Sequence, residues 1–123
     1  MTTVPNVTVT FREDEVRQAV VCTLTGRLIG KAASYAFLEE ARQRIERGCI
    51  HVIVDLATVD RIDSTGVGIL ASLYTSAHRR GGRVFVVHAD TRAREVLSIM
   101  RLMDFLETAE TADAALGLVH RAG

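Results

Sequence analysis

The sequence predicts an α/β domain built on a central, mostly parallel sheet, with an N-terminal hairpin and about four helices. Three features lead there: two β-branched runs at the start of the chain, two short apolar runs further on, and an amphipathic helical pattern between those two. "VTVTF" (7–11) alternates, and "VRQAVVCTLTG" (16–26) is rich in β-branched residues and stops at a glycine, so the pair reads as a hairpin closed by the polar turn Arg12 to Glu15. From Lys31, the residues Ala33, Phe37, Leu38, Ala41 and Ile45 recur at three- and four-residue steps up to Gly48, which predicts an amphipathic helix. "HVIVDL" (51–56) and "RVFVV" (83–87) have the character of strands covered on both faces. Between them a helix is expected from about Thr65 to Arg80, with Val67, Leu70, Tyr74 and Ala77 on one face and Gly81-Gly82 as its stop. Strand, helix, strand at this spacing implies a parallel crossover. A helix around 91–102, a strand near 105–108 and a helix from about 111 to 120 opened by Thr111 complete the order β-β-α-β-α-β-α-β-α.

The 123 residues fit one domain, 1–123, with no internal repeat, low-complexity tract or linker. Fifteen basic residues balance fifteen acidic ones, which gives no general pull toward nucleic acid or an anionic membrane. The start of the chain has no basic stretch followed by an apolar run, and no segment reaches 18 uninterrupted apolar residues, so a cytoplasmic protein without membrane insertion is expected. Cys22 and Cys49 lie in apolar contexts without metal-ligand spacing and read as buried thiols.

The stretch "RIDSTGVGIL" (61–70) places an acid, two hydroxyls and two glycines at the start of the second helix. A glycine inside a helix costs about 1 kcal/mol against alanine, so this turn must need bare backbone, either for packing or for access to Ser64. Ser64 is placed to cap the helix by accepting from the N–H of Gly66 or Val67. The same exposed N–H groups and the helix dipole favour an anion, so a phosphate on Ser64 would be accommodated by its own helix.

The surrounding string, "VIVDLATVDRIDSTGVGILASLYTSAHRRGGRVFVV" (52–87), resembles the STAS domain family, in particular the bacterial anti-sigma factor antagonists. "LSIMRLMDFLETAETADAAL" (97–116) is similar to the family's final helix, strand and helix. The resemblance implies a STAS fold in which Ser64 is phosphorylated by an anti-sigma factor that is also a serine kinase, and is restored by a serine phosphatase. The protein would be a switch and not an enzyme, with no cofactor. Asp63 and Thr65 would shape the docking surface, Gly66 and Gly68 would let a partner approach the first helical turn, and Ile69 with Leu73 would form an exposed apolar patch unless the helix is buried broadly between its neighbours. The chain departs from the antagonist pattern in "GRLIGKA" (26–32), where Arg27 stands in place of a glutamate and Ile29 in place of an aspartate. A cationic Arg27 near Ser64 would attract a phosphate rather than repel it. The alternative is a STAS scaffold, or a subunit of a signalling or lipid-transport complex, that is never phosphorylated.

Other chemistries find little support. "GRLIGKA" is one residue short of a phosphate-binding loop between Gly26 and Gly30 and has Ala32 after Lys31, where magnesium binding needs a hydroxyl. A serine hydrolase elbow would need a glycine where Ile62 stands. His51, His78, His88 and His120 are scattered and read as solvated or core residues. Asp55, Asp60 and Asp63 suit strand ends and turns better than a metal site, and Arg79, Arg80 and Arg83 read as a solvated basic helix end.

Overall fold

In the computed structural model, which describes residues 4–119, five strands form one sheet in the order of the chain. β1 (Val7–Asp14) and β2 (Ala19–Leu28) pair antiparallel. β3 (His51–Ile62), β4 (Val84–Val87) and β5 (Glu107–Ala109) each lie parallel to the strand before them. The helices are α1 (Ala32–Glu46), α2 (Ser64–Arg79), α3 (Thr91–Ile99) and α4 (Ala112–Val119), with a 3-10 turn at Leu102–Asp104. The expected element order and parallel crossover are therefore present.

Side chains alternate across the sheet, so β2, β3 and β4 each supply two cores. Val20, Cys22 and Leu24 of β2, Val52 and Val54 of β3, and Val84 and Val86 of β4 meet Phe37, Ala41 and Ile45 of α1, Leu70 and Leu73 of α2, and Leu97 of α3. On the opposite face Ala19, Val21, Ile53, Phe85 and Val87 meet Ala115, Leu116 and Val119 of α4.

Several boundaries differ from the sequence reading. The hairpin turn is Glu15 to Gln18 rather than Arg12 to Glu15: Arg12, Glu13 and Asp14 pair with Val21, Val20 and Ala19, and Val16 is left 90% exposed in the turn. Polar residues on an edge strand meet water on one side, so they do not end it. β3 continues six residues past Leu56 because Thr58, Val59, Arg61 and Ile62 pair with the second half of β2. α3 stops at Ile99, where Arg101 turns left-handed (φ 59), and β5 starts at Glu107. Thr111 opens α4 as expected, its hydroxyl accepting from Ala114 N at 3.0 Å. The expected end of that helix at residue 120, and with it His120, lies outside the described residues.

Arg83 is not part of a solvated helix end. Its guanidinium meets both carboxylate oxygens of Glu107 on β5, with Nε 2.6 Å from Oε2, and its backbone N–H donates to Nδ1 of buried His51 at 3.1 Å. The helix ends at Arg79, just before the expected stop at Gly81 (φ +78) and Gly82, where a Cβ would collide with the Ile50 carbonyl. Both cysteines are free and buried. Burial pushes the Cys22 thiol up to about 12; burial and a hydrogen bond to Glu13 push Cys49 up to about 11.

Candidate functional site

The ends of β2 and β3 form the platform for the helix start. Leu28 lies opposite Ile62, and the Leu28 carbonyl accepts from Asp63 N at 3.3 Å. Two register shifts, between Thr23 and Thr25 and between Gly26 and Arg27, make β3 advance one residue further than β2 each time. Such bulges bend and re-aim a strand, and here they carry the tip of β3 well beyond β4, which pairs only with Val52 to Asp55.

Asp63, not Ser64, caps α2. Its backbone is extended (φ −101, ψ −173), its Oδ1 accepts from Gly66 N at 3.0 Å, and its carbonyl receives the first helical bond from Val67 N. Its Oδ2 accepts from Gly30 N at 3.1 Å, which ties the turn after β2 to the turn after β3. Partial burial alone would raise the Asp63 carboxyl, but the N–H groups of Gly66, Gly30 and Thr65, with the nearby Arg61 charge, outweigh it and hold the group below its ordinary range. A carboxylate already holding the N–H of the third residue leaves the serine no capping role. Ser64 is the first helical residue, exposed, and its hydroxyl has no hydrogen-bond partner among the described residues.

The remaining expected residues separate into surface and interior. Gly68 is exposed, and a Cβ there would meet nothing within 4 Å. Thr65 is half-buried against the turn after β2, where a methyl on Gly30 would sit 3.1 Å from its hydroxyl. Gly66 is buried, and a Cβ there would collide with the Leu28 carbonyl oxygen and lie 2.8 Å from Ile62 Cγ2, so this glycine serves packing and not partner approach. Ile69 and Leu73 are 2% and 0% exposed. The expected apolar docking patch is absent at these two positions because α2 is covered by α1 as well as by the sheet, with Arg42 of α1 bonded to Ser76 of α2 at 3.3 Å.

Arg27 is exposed at the same end of the sheet, opposite Arg61, and neither guanidinium has a carboxylate partner among the described residues. Two residues that sequence reasoning missed hold this loop. Asn6 Nδ2 donates to the Arg27 carbonyl and to Ser34 Oγ, both at 2.9 Å, and Ser34 Oγ accepts from Ile29 N at 3.2 Å. The available signal was a serine on the apolar face of the first helix, where a buried hydroxyl needs partners. A cleft of about 230 Å³ lies between the tip of β3 and the start of α3, rimmed by Asp60, Arg61, Asp90 and Arg92, a mixture of charges that selects no sign of ligand.

The STAS domain family matches residues 10–115. The chain belongs to that family. Solved structures agree with the STAS fold. An anti-sigma factor antagonist from Mycobacterium paratuberculosis is 21% identical over 96% of this chain and 98% of that one, with a TM-score of 0.78. The Bacillus cell fate determinant SpoIIAA in its phosphorylated form is 21% identical over 91% and 99%, with a TM-score of 0.66. A sulfate transporter family protein from Wolinella succinogenes is 18% identical over 80% and 82%, with a TM-score of 0.65. At these identities the likeness concerns the fold alone. No curated protein matches this STAS domain in sequence. Among the described residues no helix is long and apolar enough to cross a membrane, and no three His, Cys, Asp or Glu side chains gather as a metal site.

Proposed function

We propose that this STAS domain is a phosphorylation-controlled protein-binding switch of the anti-sigma factor antagonist kind, working in the cytoplasm through a serine kinase that marks Ser64 and a serine phosphatase that clears it. The observation that carries the reading is the exposed Ser64 hydroxyl at the first turn of α2, free of hydrogen bonds among the described residues while Asp63 does the capping. No base touches it, so it suits a phosphoacceptor better than a nucleophile. A phosphate there would add about −1.5 to −2 charges beside Asp63 and change the surface that a partner meets. Asp63, Thr65 and Gly68 border that surface, and Arg27 lies at the same end of the sheet.

Mass spectrometry after incubation with the cognate kinase and ATP is expected to find one phosphate, on Ser64. Phosphate on Thr65 or Ser72 with Ser64 unmodified would remove the assignment. A second reading, a STAS module of a signalling or transport assembly that is never phosphorylated, draws on the sulfate transporter family protein among the structures of like fold and on Arg27, whose charge opposes the antagonist pattern. An unmodified protein after that incubation would favour it.

A further inference from the structure

The two edges of the sheet are unequal. β5 is three residues long, whereas β1 runs for eight and pairs only with β2. A long open edge invites another strand, and proteins blunt such edges with prolines, bulges or charges. β1 has no proline and no register shift from Val7 to Asp14, and its charges are confined to Arg12, Glu13 and Asp14 at one end. The register also tells which backbone groups lie on the open side. Arg27 N donates to the Asn6 carbonyl at 2.7 Å, and antiparallel pairs alternate, so Thr8, Thr10, Arg12 and Asp14 turn their N–H and carbonyl groups to β2. Those of Val7, Val9, Phe11 and Glu13 point outward, and no other strand among the described residues meets them. The middle of the edge is fixed in place: the Phe11 ring stacks on Phe37 at 6.2 Å and lies 3.7 Å from the Arg44 guanidinium.

We infer that β1 pairs antiparallel with β1 of a second copy about a two-fold axis at Thr10, joining two five-stranded sheets into one continuous sheet. In that register Val9 of each copy faces Phe11 of the other and Val7 faces Glu13, so outward groups meet outward groups along the whole strand. Thr8 faces Arg12 and Asn6 faces Asp14, so no like charges are opposed. Other registers are worse. An axis at Arg12 or Glu13 sets that charge against its own copy, an axis at Phe11 leaves Val7 opposite the hairpin turn, and an axis at Val9 sets Pro5, which has no N–H, against Glu13. The edge is thus complementary to itself, which selects a second copy over an unrelated strand. Val7 pairs with Gly26, at the end of β2 that carries the Ser64 turn, so the antiparallel join puts the two Ser64 turns at opposite ends of the shared sheet. The inference therefore stands apart from the reading of Ser64.

Sedimentation of the wild type over a concentration series is expected to show a monomer–dimer equilibrium. Thr10→Lys and Thr10→Glu each put like charges on the axis and should dimerise several-fold more weakly, while an equimolar mixture of the two should recover the wild-type affinity. Thr10 is exposed, so both variants should melt as the wild type does. Should either melt early, two cysteine variants decide. A pair outside the hydrogen-bonded positions has Cα atoms about 4.5 Å apart, within disulfide range, whereas two copies of Thr8→Cys would lie about 13 Å apart along the strands. Mild oxidation should therefore cross-link Thr10→Cys and not Thr8→Cys. The native thiols, Cys22 and Cys49, stay out of the reaction because burial holds them at about 12 and about 11. A wild type still monomeric at about 1 mM would overturn the inference, as would a dimer that Thr10→Lys leaves intact, or a Thr8→Cys cross-link that forms as readily as that of Thr10→Cys.

Discussion

The Asp63 carboxylate bonds Gly66 N at 3.0 Å and Gly30 N at 3.1 Å, so removing it opens two turns at once. Asp63→Ala is expected to cost about 1–2 kcal/mol, the upper part of the range for a lost cap, read as a lower urea midpoint at unchanged slope. Because folding holds this carboxyl below its ordinary value of 3.8, its contribution is present above that pH and lost as pH falls through the folded value; Asp63→Asn should flatten this part of the acid limb. The two glycines separate cleanly. Gly66→Val should unfold the protein, because its side chain meets the Leu28 carbonyl, whereas Gly68→Ala should stabilise it by about 0.5–1 kcal/mol and weaken partner binding if the partner lies against that turn. A thermal melt of each, beside a binding titration of Gly68→Ala, checks both. From sequence, Asp63 and Ser64 are equally good capping residues. In the fold Asp63 also accepts from the N–H of Gly30, 33 residues away, a second bond that accompanies the cap. That tie was not legible locally, whereas the turn itself, its serine and the helix after it were.

At the scale of elements, the apolar runs in β2, β3 and β4 and the periodicity of α1 and α2 were legible because each has a face that must be buried. The second half of β3 was not: Ala57, Thr58, Asp60 and Arg61 are exposed, and two bulges break the alternation that would have marked a strand. β5 is only three residues long and depends on the Arg83–Glu107 pair beside His51. Burial, then the Arg83 charge, lowers the His51 pKa below its ordinary 6.5, so the folded protein keeps the ring neutral while the unfolded chain takes up a proton. Stability should therefore fall as pH drops from about 6.5 toward the folded value, and His51→Gln, which still offers an acceptor to Arg83 N, should flatten that slope in melts across the window. Arg83→Ala should speed amide exchange at Thr108 and Ala109 while leaving Val52 to Val54 protected, since only the edge strand loses its clasp.

For the whole molecule, the two faces of the sheet are unequally insured. Among the described residues three helices cover one, and on the other α4 alone covers Val21, Ile53, Phe85 and Val87. Thr111 as an opening residue marked α4 in the sequence but not which face it covers, because that depends on how the chain crosses the sheet. Leu116→Asp should expose that second core, with dye binding and a broadened, less cooperative melt as the readout. The Ser64 hydroxyl, meanwhile, bonds nothing among the described residues. A serine that capped its own helix would tie the chain's lifetime to its signalling state, since every cycle of the kinase would alter how often the helix opens to a protease. With the cap held by the neighbouring aspartate, phosphorylation of Ser64, if it occurs as proposed, would leave the helix cap in place, so that a pulse-chase of wild type and Ser64→Ala should give matching half-lives. On the proposed reading, the total pool would stay constant while its division between the two forms carries the message.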